Sequence, residues 1–415
     1  MTPVSPHAVA ATGSRGHALR ALVASVLGYA MDGFDLLILG FMLPAISADL
    51  HLGPAQAGSL VTWTLIGAVV GGIGFGLLSD RYGRVRVLSW TILLFAVFTG
   101  LCALSRGYTD LLVYRTLAGV GLGGEFGIGM ALVAEAWPAR LRARASSYVG
   151  LGWQLGVLAA ALLTPLLLPV VGWRGMFAIG LLPALVSFIV RRRVEEPSLF
   201  VAHAARTTRA PAAKRPHALR LLAADARTAR ASFGVAVLCS VQNFGYYGLM
   251  IWLPAYLSKA FGYSLTKSGL WTAATVAGMA VGIWLFGIAA DRFGRRPTFL
   301  VYQAGAVVMV FVYAHLVAPV ALLIGGAAMG VFVNGMIGGY GALISELYPT
   351  AARATAQNVL FNIGRAVGGF GPLAVGALAA RFSFGAALAM LASIYLLDIL
   401  ATLFLIPERR GAELV

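Results

Sequence analysis

Apolar residues in this chain neither alternate nor follow a one-sided helical stripe; they come in unbroken runs. Runs of membrane-spanning length begin near residues 20, 56, 87, 111, 145 and 173, and again near 231, 267, 298, 320, 355 and 384. A bilayer core about 30 Å thick needs about 20 apolar residues per helix. Each run therefore predicts one transmembrane helix, numbered 1 to 12 in chain order. The polar stretches between them predict five parts. These are a tail at 1–18, a six-helix bundle at 19–190, a basic linker at 191–230, a second bundle at 231–406 and a tail at 407–415.

Composition agrees. Of 415 residues 60% are hydrophobic and 11% charged, and the mean hydropathy is +0.85, which leaves little room for a soluble protein. The 51 glycines suit helices that pack closely in lipid. The first apolar run lacks a following cleavage pattern and is expected to stay as a helix. Cys102 and Cys239 both lie in apolar runs, and the histidines are scattered, so no disulfide framework, metal site or other cofactor is expected. No constellation suggests an enzyme.

The net charge of +16 is a matter of topology. With both termini in the cytoplasm, 24 of the 31 Lys and Arg residues fall on the inside, 5 on the outside, and Arg115 and Arg365 within helices. That asymmetry is the positive-inside pattern, and the chain is expected in a plasma membrane, in bacteria the inner one. The basic runs lack interleaved aromatics, which argues against nucleic acid as a partner. Lipid headgroups suit them better.

Two motifs occur twice. "LLSDRYGRVRVL" follows helix 2 and "IAADRFGRRPTF" follows helix 8, with Asp80 and Asp291 211 residues apart. "AEAWPARLRARA" ends helix 4 and "SELYPTAARATA" ends helix 10, and Glu135/Glu346 and Arg142/Arg353 share the same spacing. One offset for both pairs predicts two homologous, pseudo-symmetric bundles. Over nearly its whole length the chain resembles the major facilitator superfamily, whose D-R-x-G-R and E-x-x-P-x-x-x-R signatures these are. Helix 4 adds R-x-x-x-G at Arg115 and Gly119. The charged ends read as a gate that ion pairs latch shut, formed by Asp80, Arg81, Arg84, Glu135 and Arg142 with Asp291, Arg292, Arg295, Glu346 and Arg353. The other reading is solvated surface charge. "GVGLGGE" at 119–125 lies inside a membrane helix and follows no strand, so it reads as packing rather than a dinucleotide site.

Charges inside a bilayer are costly and usually functional. "YAMDGFDLLILGF" at 29–41 carries Asp32 and Asp35; helix 4 carries Arg115 and Glu125; helix 11 carries Arg365; Asp398 in helix 12 is less central. At about 1.5 Å per residue, Asp35 and Arg115 fall at similar depths and are expected to pair. Two nearby acids in a dry site do not both ionise easily, so one is expected to hold a proton. "D-G-F-D" resembles the helix-1 element of aromatic acid:proton symporters. The helix-4 text resembles the sialate and lactate type of carboxylate:proton symporters. These resemblances imply cotransport of an organic anion and protons.

The repeat separates two roles. Asp32, Asp35 and Glu125 correspond to Asn243, Tyr246 and Met336, while Gln154 corresponds to Arg365. Asp32, Asp35, Arg115 and Glu125 are therefore expected to handle protons. Arg365 is expected to receive a substrate carboxylate, since a guanidinium fork fits one. Asn358 and Asn362 on its helical face are expected to join it, with Gln154 and the "QNFGYY" residues Gln242, Asn243, Tyr246 and Tyr247. The alternative for Arg365 is a structural pair with Asp32 or Glu125. The expected function is proton-driven uptake of an organic anion, aromatic or small, by alternating access, with a monomer sufficient. An exporter of drugs or metabolites on the same fold is the alternative; a receptor on this scaffold lacks an added signalling domain.

Overall fold

The computed structural model describes residues 15–209 and 217–414. Most of the amino-terminal tail and residues 210–216 of the linker lie outside them. Among the described residues the chain is all helical apart from turns and short connections.

Every predicted apolar run lies on a helix. The first bundle holds α1 (Arg15–Leu50), α2 (Pro54–Tyr82), α3 (Arg84–Cys102) and α4 (Tyr108–Ala136). It is completed by α5 (142–171) and α6 (173–191), which meet at Gly172 with φ 64° and ψ 175°. Left-handed backbone of this kind suits glycine, which has no Cβ to clash. The second bundle holds α7 (Ala226–Phe261), α8 (Leu265–Phe293), α9 (Arg295–His315), α10 (Pro319–Leu347), α11 (Arg353–Arg381) and α12 (Phe384–Leu405). Large apolar side chains such as Leu166, Val170, Leu373 and Phe404 stay more than half exposed. A bilayer, not water, is the solvent for such a surface.

Small residues set the helix spacing, and they repeat. A Cβ at Gly67, Gly71 or Gly119 would fall within 2.2 Å of a carbonyl oxygen of the facing helix in the α2–α4 pair. Gly278, Gly282 and Gly330 do the same in the α8–α10 pair, each 211 residues later. Backbones that approach this closely gain dispersion contacts, the main force left when helices associate in lipid.

The α2–α3 and α8–α9 turns are single glycines, Gly83 (φ 112°) and Gly294 (φ 111°), inside the D-R-x-G-R motif. Both turns, both described chain termini and the described parts of the linker lie at one end of the molecule, here called the basic end.

Candidate functional site

At the basic end each bundle caps the other. Asp80 of α2 accepts from the backbone N–H groups of Ala354 (3.2 Å) and Thr355 (2.8 Å), in the first turn of α11. Asp291 of α8 accepts from Ala143 and Arg144 (both 3.1 Å), in the first turn of α5. A helix start offers unpaired N–H groups and partial positive charge, so a carboxylate is the natural partner. Behind each cap lies a buried chain of charges. Arg84 bridges Asp80 (2.9 Å) and Glu135 (3.0 Å), and Glu135 reaches Arg353 of the other bundle (2.7 Å). Arg295 bridges Asp291 (3.0 Å) and Glu346 (2.8 Å), and Glu346 reaches Arg142 (2.9 Å).

Arg81 and Arg292, predicted with this gate, stay outside it. Both are exposed and lie over the rings of Tyr82 and Phe293, at 5.2 and 5.3 Å. One residue past the aspartate on a helix turns the side chain about 100° away from the partner bundle.

Three buried arginine–acid pairs occupy the middle. Asp35 and Arg115 form a two-pronged pair at 2.9 and 2.6 Å. Glu125 pairs with Arg191 (2.5 Å) and accepts from the Thr91 hydroxyl (2.6 Å). This arginine was assigned to the basic linker on sequence grounds; α6 runs far enough to bury it. Glu125 therefore stands apart from Asp32 and Asp35 with a cation of its own. The third pair crosses the bundles: Arg365 of α11 donates through Nη2 to Asp32 of α1 at 2.9 Å. Of the two sequence readings of Arg365, the structural pair with Asp32 is the one present in this state.

That third pair is incomplete. Asp32 Oδ1 and Arg365 Nε are buried and without hydrogen-bond partners. Beside them lies a small cavity lined by both bundles, with free space at the limit of a single water molecule. Arg365, Gln242, Asn243, Tyr246 and Tyr247 line it as expected. The Trp153 indole donates to the Tyr246 hydroxyl (3.2 Å) across the bundle interface, and the Arg365 guanidinium lies 5.7 Å from Phe361 and 5.8 Å from Trp153.

Three expected lining residues are elsewhere. Asn358 and Asn362 turn toward glycines of α2 and α4, their amides bonding back to the Ala354 and Asn358 carbonyls. A glycine there leaves room for exactly such a side chain and no more, so these two form a helix contact. Gln154 faces the Met279 sulfur at 3.9 Å. In their place Tyr29, Asn334, Ile337 and Phe361 complete the wall. Tyr29 lies one turn before Asp32, and Asn334 accepts from Gln242 (2.7 Å). Helical spacing from Asp32 gives a signal for Tyr29; nothing local marks Asn334.

Cross-bundle hydrogen bonds among the described residues run from the basic end up to this centre. The molecule is closed at the basic end.

The Major Facilitator Superfamily model matches residues 25–279 and 235–414. A Haemophilus influenzae protein named for metabolite transport is 65% identical over 396 residues, covering 95% of this chain and 97% of its own. The cis,cis-muconate transport protein of Acinetobacter baylyi is 30% identical over 376 residues, 90% of this chain and 91% of its own. The solved structure of the proton:xylose symporter XylE superposes with a TM-score of 0.80 at 19% identity, covering 96% of this chain and 98% of that one. With its doubled motifs, its two six-helix bundles and these relatives, the chain is a multi-pass membrane transporter that belongs to the major facilitator superfamily.

Proposed function

We propose that this transporter couples uptake of an organic carboxylate to protons by alternating access. The observation that carries the reading is the half-satisfied Asp32–Arg365 pair at the cavity wall, joining the two bundles. Charge balance gives the mechanism. Arg365 neutralises one carboxylate. When a substrate carboxylate arrives, Asp32 and the substrate compete for the same guanidinium, and one negative charge is left over. Enclosing that charge in a dry centre costs several kcal/mol. A proton on Asp32 removes it, so substrate and proton close the centre together and neither does so alone. Asp35, held by Arg115, provides a second acid on α1 whose release can follow.

The cavity walls support an aromatic or otherwise flat substrate. Trp153, Phe361 and Tyr29 offer aromatic surface, with Tyr246 and Tyr247 adding hydroxyl groups. The muconate relative, named for a flat conjugated dicarboxylate, fits that surface. Since the centre holds at most one water in this state, entry requires the far ends of the bundles to part while the basic-end interlocks hold. We place the basic end in the cytoplasm of a bacterial inner membrane, with the two bundles moving as units of a monomer.

Proteoliposomes with an inward proton gradient test the reading. Arg365→Ala is expected to weaken carboxylate binding about 30-fold or more, the cost of a lost buried charge partner. Asp32→Asn is expected to bind the carboxylate without dependence on pH and to lose uphill accumulation. Continued accumulation by Asp32→Asn would defeat the coupling, and unchanged affinity in Arg365→Ala would defeat the substrate assignment. The exporter alternative predicts the opposite sign of lumenal pH change on adding substrate outside.

A further inference from the structure

The three acids of the amino-terminal bundle interior each meet an arginine. The carboxyl-terminal bundle holds a fourth buried acid that does not. Asp398, midway along α12, is fully buried, and neither carboxylate oxygen has a hydrogen-bond partner. Among the described residues no Lys or Arg hydrogen-bonds to it. The titratable groups that face it are Cys239 from α7, Tyr340 from α10 and Tyr395 on its own helix. From α9 comes Gln303, whose amide donates to Thr402 (2.8 Å) while its carbonyl oxygen is buried and unpartnered. Arg296, also of α9, spends its guanidinium on the Thr402 and Leu403 carbonyls toward the basic end.

An ionised carboxylate in such surroundings is far more costly than a neutral acid. The group therefore holds a proton in this closed state. It is also connected to the cavity. Tyr395, one turn away, has a buried hydroxyl without a partner, pressed against Gly245 of α7, where a Cβ would fall 2.1 Å from it. Gly245 lies between Asn243 and Tyr246, both of which line the cavity. Motion of α7 at the cavity thus moves the surface that covers Tyr395 and, one turn on, Asp398.

We propose that Asp398 is a further proton site of this transporter, apart from the acids of α1, loaded in the closed state and opened to water when α7 moves off Tyr395. In that step the carboxylic acid gives its proton to water and the carboxylate left behind is hydrated; on closure it takes one proton back. The proposal rests on the proton-coupled reading above.

The test is the proton-to-substrate ratio of purified protein in liposomes, with 4-hydroxybenzoate and cis,cis-muconate as the probes. Asp398→Asn keeps the shape and the neutral state of the loaded acid, so folding and substrate affinity are expected to hold. The ratio is expected to fall by one proton, which lowers limiting accumulation about tenfold per unit of pH gradient. Substrate-induced infrared difference spectra are expected to lose a protonated-carboxyl band in this variant. An unchanged ratio with an unchanged band would make Asp398 a fixed neutral group and overturn the proposal. Asp32→Asn and Asp35→Asn run in parallel separate the failures. If they lower the ratio and Asp398→Asn does not, this site alone falls; if none does, the coupling falls with it. Should Asp398→Asn not fold, Tyr395→Phe is the second variant: a displaced pH profile of uptake supports the link, and a wild-type profile and band overturn it.

Discussion

The two bundles match at their basic ends and differ in their middles. Asp80, Arg84, Glu135 and Arg142 of the first have counterparts in Asp291, Arg295, Glu346 and Arg353 of the second, and each set makes the same contacts with the other bundle. The glycines that set the α2–α4 and α8–α10 spacing repeat as well. Midway through the membrane the likeness stops. The first bundle keeps two arginine–acid pairs to itself and lends Asp32 to its partner; the second offers Arg365 in return and keeps Asp398 unpaired. Symmetry persists where the halves must interlock and separate as equals. On the proposed proton-coupled reading, it is lost where the chemistry of cargo and proton differs, because one surface cannot be complementary to both.

The largest effects test the likeness. Gly71→Val and Gly282→Val each put a branched side chain where a Cβ already falls 1.9 or 2.1 Å from backbone. Each is expected to cost more than about 4 kcal/mol, read as loss of the folded peak and of a cooperative melt in detergent. If only one variant fails, the two interfaces are not equivalent and the repeat is a matter of sequence alone. Next in size is a pair that tests the difference. Asp35→Asn strands Arg115, at about 3–5 kcal/mol, and is expected to abolish gradient-driven accumulation. Its counterpart Tyr246→Phe removes one indole–hydroxyl hydrogen bond, about 1 kcal/mol, and is expected to weaken substrate binding about fivefold with coupling intact. Equal losses in both would erase the asymmetry.

The charged interlocks, if they act as the proposed gate, should again behave symmetrically. Glu135→Gln and Glu346→Gln each keep the shape of a buried acid and remove its charge from between two arginines. Each is expected to favour opening at the basic end by about 1–3 kcal/mol. The readout is the alkylation rate of a cysteine introduced at Ala354 for the first and Ala143 for the second, where native Cys102 and Cys239 are buried and silent. Accelerations that differ by more than about tenfold would show that one latch dominates.

What the sequence disclosed follows the range of each interaction. The twelve helices and the interlocks were legible because hydropathy is a local signal and the repeat prints each interlock twice. Asp35 and Arg115 were legible because depth along two helices can be counted. The Asp32–Arg365 pair spans 333 positions and both bundles, so only the assembled molecule decides it. Arg191 was miscounted as a loop charge because hydropathy falls before α6 ends. Asn358 and Asn362 share a helical face with Arg365, yet a stripe that wide meets two neighbours, and glycine-lined α2 and α4 take that part of it. Asp398 was discounted because position along a helix says nothing about which side a carboxylate faces.

The smallest effect concerns a contact that the repeat itself hid. Glu196, just past α6, accepts from the backbone N–H groups of Arg84 (2.8 Å) and Arg86 (3.0 Å). Glu408, just past α12, accepts from Arg295 (3.1 Å) and Arg296 (2.8 Å). The two acids are 212 residues apart, one more than the offset of the D-R-x-G-R motif they serve, so a fixed-offset comparison passes over them. Each neutralises the start of the helix that follows the D-R-x-G-R turn, an interaction worth about 0.3–1 kcal/mol at an exposed site and more when partly buried. Glu196 is half-buried and Glu408 exposed, so salt screens the second more than the first. Glu196→Gln is therefore expected to lower the melting temperature more than Glu408→Gln, and the gap should widen as salt rises, since only the exposed contact fades in the wild type. A gap that closes with salt would mean that both acids act through solvent, and the basic ends of the two bundles would then be alike even here.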